Sequence, residues 1–266
     1  MGIRRRGQGV AAKAQPIVLY GVLLLSVIGC GRVFAIDTGK PIASGSPAVS
    51  AKIAPVRVAG VATYRSPDCN QRPCLAITFD DGPDPVLTPQ VLDVLARHNA
   101  RATFFIVGSK VSGNEAILQR IQREGHEIGN HTWGHQDLTK LTPEQIQYQV
   151  YATQAAVVAS GVREPRLFRA PYGAVNEVVR SNVPLTIVQW NIDPEDWHPK
   201  KEINQIVDHM SAHAKPGGTV VLHDTQPRTV QALEPLLVRM EQTYQFITVS
   251  DLFYLVPGQS GMFYGR

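Results

Sequence analysis

From residue 74 onward the chain alternates short apolar runs with longer stretches whose apolar residues recur every three or four positions. CLAITF (74–79), ATFFIVG (102–108), HEIGN (126–130), RLFRA (166–170), LTIVQWNI (185–192), GTVVLHD (218–224) and QFITVS (245–250) read as strands. The stretch LTPQVLDVLARHNA (87–100) reads as a helix, with Thr88 as N-cap, Pro89 at the first helical position, and Leu92 and Leu95 on one face. NEAILQRIQREG (114–125) is a second helix stopping at Gly125. LTPEQIQYQVYATQAAVVASG (141–161) repeats the Thr-Pro start, places Gln145 to close a capping box, and ends at Gly161. Two amphipathic helices, EINQIVDHMSAHA (202–214) and TVQALEPLLVRMEQ (229–242), separate the last three strands. Seven strands with mostly helical crossovers predict an α/β fold with a parallel sheet. No run reads as an exposed edge, so a closed or nearly closed barrel is expected, with its active site at the carboxyl ends of the strands.

The N-terminal portion has a different texture. A basic stretch (RRRGQGVAAK) precedes the apolar run IVLYGVLLLSVIGCG, residues 17–31, which is short for a membrane-spanning helix and has the form of an export signal. Val33-Phe34-Ala35 offers ordinary signal cleavage; Val27-Ile28-Gly29-Cys30 resembles a bacterial lipobox that would leave Cys30 lipidated; an uncleaved anchor is the third option. Residues 36–66, rich in Ala, Gly, Pro and Ser without a sustained period, read as a flexible linker. The expected organisation is a signal or anchor at 1–35, the linker at 36–66, a catalytic domain at 67–255 and a tail at 256–266. Any membrane contact is expected through the N-terminal segment alone.

Composition narrows the class. Apolar residues at 44% and charged residues at 18% indicate a packed globular chain. Arg4, Arg5, Arg6 and Lys13 equal the whole formal excess of +4, so the basic balance belongs to the N-terminus and gives no footprint for nucleic acid. In an exported chain, Cys69 and Cys74, which enclose NQRP just before the first strand, point to a local disulfide; two unpaired thiols are the alternative.

Reactive side chains gather at the strand ends. CLAITF runs into Asp80-Asp81-Gly82-Pro83, and HEIGN into His131-Thr132-Trp133-Gly134-His135. RLFRA carries Arg169 towards Pro171-Tyr172-Gly173, LTIVQWNI leads to Asp193 and Asp196-Trp197, and GTVVL ends in His223-Asp224. A zinc-protease H-E-x-x-H starting at His126-Glu127 fails because position 130 is Asn. His131 and His135 remain as the candidate metal pair. Core packing has no use for carboxylates, imidazoles and a guanidinium at one barrel mouth.

In order along the chain, T-F-D-D-G-P (78–83), H-T-x-x-H (131–135), R-x-P-Y-G (169–173), D-x-x-D-W (193–197) and L-H-D (222–224) resemble the five motifs of the polysaccharide deacetylase family, carbohydrate esterase family four. The resemblance covers residues 74–250 and implies a distorted seven-stranded (β/α) barrel. One departure is visible: only NEVVRSNVPL (176–185) separates the third motif from the next strand, shorter than the helix expected there.

The resemblance implies that Asp81, His131 and His135 hold a divalent metal, usually zinc, with cobalt or another divalent ion as alternatives. Nitrogen and oxygen donors of this kind, three in number, leave a position open for water. It implies Asp80 as general base, Arg169 as its orienting partner, His223 as general acid and Asp196 as the group keeping His223 cationic. Pro171 has no N–H, so the Tyr172 backbone would stabilise the oxyanion. Tyr172, Trp197 and Leu222 would line the substrate pocket. His98, His209 and His213 read as solvated, His126 and Glu127 as ordinary strand residues, and His198 as worth attention beside Trp197.

The expected protein is an exported monomeric hydrolase that removes N-acetyl groups from N-acetylglucosamine units, cleaving carbon–nitrogen bonds in linear amides. Peptidoglycan is the favoured polymer because of the signal-plus-linker layout. A chitin or chitooligosaccharide deacetylase and an acetylxylan esterase are the rival enzymes. A non-catalytic domain binding wall glycan is the rival from another class, disfavoured because a binding module needs neither Asp80 nor His223.

Overall fold

A computed structural model describes residues 67–254 and 262–263. The signal-like segment, the linker and Cys30 lie outside them. Among the described residues no helix is long and apolar enough to cross a membrane.

The first strand, β1 (Cys74–Asp80), is buried along its whole length and is the hub of the sheet. Next come α1 (Leu87–Arg97), β2 (Thr103–Ile106), α2 (Glu115–Arg123), β3 (Glu127–Asn130), α3 (Pro143–Ala159), β4 (Leu167–Phe168), α4 (Glu177–Asn182) and β5 (Thr186–Val188). The chain then forms α5 (Ile203–His213), β6 (Gly218–His223), α6 (Pro227–Met240), β7 (Gln245–Ile247), α7 (Val249–Phe253) and β8 (Met262–Phe263). The strands run in the order β6-β1-β2-β3-β4-β5-β8, with β7 beside the first half of β1. Every pairing is parallel. Beyond β5, Ile192 bridges to Val220 of β6, so the sheet curls back on itself as a distorted (β/α) barrel. All seven expected strands are present. The eighth, Met262–Phe263, falls in the expected tail; two residues carry no period from which to read it.

Local signals explain most boundaries. Thr142 caps α3 and closes a capping box with Gln145, and Pro143 opens the helix. Gly125 and Gly161 take the left-handed φ values that end α2 and α3, 83° and 86°. The short link after the third motif does form a helix, six residues long, because the Asn176 side chain accepts from the Val179 N–H. The start of α1 corrects an expectation. Asp84, not Thr88, accepts the N–H groups of Val86 and Leu87, at 2.8 Å each. Thr88 is buried inside the helix and donates to Asp224 across the barrel.

The larger core lies between the sheet and α1, α2, α5 and α6, around Leu75, Ile77, Phe79, Leu92, Leu118, Val220 and Leu236. Cys69 and Cys74 form the disulfide expected from their spacing, with Cα atoms 5.2 Å apart, bracing the entry to β1. Glu127 is no ordinary strand residue. Its carboxylate accepts from Thr103 at 3.1 Å, from the Ser250 N–H at 3.0 Å and from the Ser250 hydroxyl, fastening α7 to β2 and β3. His126 is buried, and its Nδ1 accepts from the Ala102 N–H at 3.2 Å. His98 is not solvated either: it is clamped between Glu241 (2.7 Å), which caps the end of α6, and Glu234 (3.0 Å) within that helix. His209 and His213 stack on each other along α5, at 4.1 Å between ring centres.

Candidate active site

The parallel register brings the reactive residues to one end of the barrel. Asp80 is the last residue of β1, and its register partner on β6 is His223, the last residue of that strand. Asn130 ends β3 beside Phe168 of β4, which sets His131 next to Arg169.

Asp81, His131 and His135 converge, with one donor atom of each within 4.8 Å of the others. Asp81 Oδ1 lies 3.0 Å from His135 Nε2 and 3.4 Å from His131 Nε2. Two observations show that a cation fits here. The Asp81 Oδ1 atom is buried with no hydrogen bond to satisfy it. His131 Nδ1 lies 2.8 Å from the Arg169 carbonyl, which can only accept; Nδ1 therefore carries the hydrogen, and in the neutral ring Nε2 presents its lone pair to Asp81. A lone pair facing a carboxylate needs a positive charge between the two. Burial opposes charge on Asp81, but positive charge on the imidazole side outweighs it: hydrogen bonds and charge from protonated His131 and His135 would hold its carboxyl well below the usual range.

Asp80 sits behind this triad. Its Oδ1 accepts from Arg169 at 2.7 Å, while Oδ2 is 3.9 Å from His131 Nε2. Arg169 is fully buried, and burial pulls its pKa down against the opposing pull of Asp80. Its guanidinium also donates to Thr78 (2.6 Å) and the Val188 carbonyl (3.2 Å), and lies 4.1 Å from the centre of the Phe105 ring. That ring has its place only because position 129 is glycine: a Cβ there would stand 2.4 Å from Phe105 Cδ1. Thr78 and Phe105 were missed in the sequence. Thr78 shares the face of Asp80 by strand period, which was the available signal.

Across the mouth, Asp196 grips His223 twice, at Nδ1 (2.8 Å) and at the backbone N–H (2.7 Å), and Thr229 donates to the same carboxylate. Burial disfavours the imidazolium, yet the hydrogen bond and charge of Asp196, with smaller help from Asp80 and Asp81, push the pKa of His223 up to about 9. Asp224 is fully buried and is held by Thr88 through one oxygen; burial, with the charges of Asp81 and Asp80, pushes it up to about 7.

Tyr172 has φ 61°, is 71% exposed, and its ring meets His135 edge-on at 4.9 Å. Its N–H makes no hydrogen bond among the described residues. Trp197 is half exposed against His198. Leu222 is buried in the larger core. Five non-glycine residues in these loops have left-handed φ: Asp81, Thr132, His135, Tyr172 and Glu195. Such conformations cost about 1–3 kcal/mol each and cluster where a side chain must be aimed.

The sequence profile of the polysaccharide deacetylase family matches residues 68–185. The peptidoglycan-N-acetylglucosamine deacetylase PgdA of Listeria monocytogenes is 39% identical over 180 residues, 67% of this chain; the chain spans only 38% of that relative's length. A peptidoglycan-N-acetylglucosamine deacetylase of Bacillus cereus is 38% identical over 202 residues, which are 73% of this chain and 93% of the relative. Among solved structures, the peptidoglycan deacetylase PdaC of Bacillus subtilis superposes with a TM-score of 0.67 at 36% identity, covering 69% of this chain and 91% of that one.

Proposed function

The chain belongs to the polysaccharide deacetylase family, and from that premise we propose that it is an exported, metal-dependent hydrolase that removes N-acetyl groups from N-acetylglucosamine units of peptidoglycan. The observation that carries this reading is the meeting, at one barrel mouth, of the Asp81–His131–His135 triad with the Asp80–Arg169 and His223–Asp196 pairs. The similar proteins named above act on peptidoglycan, and the basic-apolar N-terminus with its linker suits a substrate outside the cell.

Asp81, His131 and His135 would hold the ion, zinc by preference for a site of two nitrogens and one oxygen. When bound, it supplies Lewis-acid polarisation of the acetyl carbonyl and a more acidic water. The rest falls to side chains. Arg169 occupies Asp80 Oδ1, so Oδ2 is the atom left to take a proton from the attacking water. The Tyr172 N–H donates to the oxygen that gains charge as the carbonyl becomes tetrahedral. Asp196 holds His223 Nδ1, which leaves Nε2 to deliver a proton to the departing amine. With a pKa of about 9, His223 carries that proton at neutral pH.

Acetate release measured in parallel on peptidoglycan, chitooligosaccharides and acetylated xylan tests this reading. Mass spectrometry of muropeptides should show loss of acetyl from glucosamine. Release from xylan alone would assign the esterase activity instead, and binding of glycan without acetate from any substrate would make the chain a binding module.

A further inference from the structure

Beyond the reacting centre, two shallow depressions on the His135 side hold about 500 and 360 Å³. They share Gln136 and Leu141, so they form one groove, which starts at His135 and Tyr172 and ends at Tyr148 and Gln145 on α3. Each has the size of a small-ligand site.

The lining has the chemistry of sugar recognition. Tyr172 and Tyr148, residues 71% and 58% exposed, stand one at each end of the groove. Leu141 lies between them, and the polar lining comes from the amides of Gln136, Gln145 and Gln149 with the charged groups of Asp137, Lys140 and Glu144. The amides are pre-set. Gln149 Oε1 accepts from the Gly134 N–H and its Nε2 donates to Gln136 Oε1, both at 2.8 Å. With its oxygen committed, Gln136 has its NH2 left to donate into the groove. Gly134 belongs to the loop that carries His131 and His135, so the groove wall and the candidate metal site are built on the same backbone.

We propose that this groove seats the saccharide units that follow the one being deacetylated, with Tyr148 as the stacking platform for the distal sugar. The proposal rests on the glycan reading of the site and deepens it: the enzyme measures chain length on α3. A groove open along one side suits a polymer that continues past both ends. Aromatic faces bury the apolar side of a pyranose, and amides and hydroxyls meet its rim.

The test is calorimetric binding of the N-acetylglucosamine dimer and hexamer to the metal-loaded full chain carrying Asp80→Asn, so that the sugars are not consumed. The hexamer should bind about tenfold more tightly than the dimer, a difference of about 1.4 kcal/mol. Adding Tyr148→Ala should reduce that ratio to below about twofold, while Tyr148→Phe keeps it. Tyr151, 55% exposed on the same helix but not lining the groove, is the control, and Tyr151→Ala should leave the ratio as it was. A ratio unmoved by Tyr148→Ala, or lowered as much by Tyr151→Ala, or an absence of hexamer binding, overturns the proposal. Acetate release by the unsubstituted chain separates the two readings. Tyr148-dependent hexamer binding without acetate leaves the groove standing and removes the enzyme; acetate release with a ratio indifferent to Tyr148 does the reverse.

Discussion

Asp80 and His223 face each other in register on the adjacent parallel strands β1 and β6. Neighbouring strands lie about 4.8 Å apart, so the proposed base and acid are separated by one strand spacing at the barrel mouth. Each is held from its far side, Asp80 by Arg169 and His223 by Asp196, at 2.7 and 2.8 Å. A substrate amide placed between them would find a proton acceptor and a proton donor without either group moving far.

Asp80 and Asp81 are adjacent, yet their substitutions should fail differently. Asp81→Asn exchanges a charged ligand for a neutral one and should weaken metal binding. Asp80→Asn should keep the metal and lose about a hundred- to ten-thousand-fold in turnover. Elemental analysis beside acetate release reads both; a metal-free Asp80→Asn with a metal-replete Asp81→Asn would reverse the assignment.

His223 has a raised pKa, so its acid form is present at lower pH and is lost as pH rises through about 9. The alkaline limb of kcat/KM should therefore lie near 9. Asp196→Asn removes the main raising influence and should move that limb down towards the ordinary value of 6.5. A limb that stays in place would mean that another group sets it.

Arg169 is buried against Asp80 and should be hard to replace. Arg169→Met strands a carboxylate, a change that typically costs about 3–5 kcal/mol. Arg169→Lys retains charge but cannot span Thr78, Asp80 and the Val188 carbonyl together. Urea unfolding should rank the chains as unsubstituted, then Lys, then Met.

The Cys69–Cys74 bridge closes a short loop, so its loss should cost about 2 kcal/mol by loop entropy. Cys69→Ser/Cys74→Ser should melt lower than the oxidised parent and together with the reduced one. Thiol labelling of the non-reduced protein at either position would contradict the bridge.

His98 couples α1 to α6. Burial opposes its protonation, but Glu241 and Glu234 outweigh that and raise its pKa. A raised histidine adds stability that is full below its unfolded pKa and is lost as pH climbs through the folded value. His98→Gln should thus lower the melting temperature more at about pH 6 than at about pH 9. An equal loss at both would show that packing alone matters there.

The barrel was readable because seven apolar runs of strand length alternate with helices, and the candidate site because its residues sit at strand ends. What escaped the sequence depended on partners far along the chain. Thr88 has every local mark of an N-cap, but it is drawn away by Asp224, 136 residues later. His98 looked like a surface residue at a helix end until α6 brought two glutamates to it. Glu127 reads as an ordinary strand residue, and its role as a lock emerges only when the fold brings Thr103 of β2 and Ser250 of α7 to its carboxylate.

Arg169 serves the site twice, once through its guanidinium on Asp80 and once through its carbonyl on His131. The second contribution belongs to the main chain, and no codon change removes it. A saturation scan of position 169 would record the loss of Asp80's partner and remain blind to the oxygen that fixes the tautomer of His131. Replacing the peptide link between Arg169 and Ala170 with an ester, which weakens that carbonyl as an acceptor, is the alteration that would expose it.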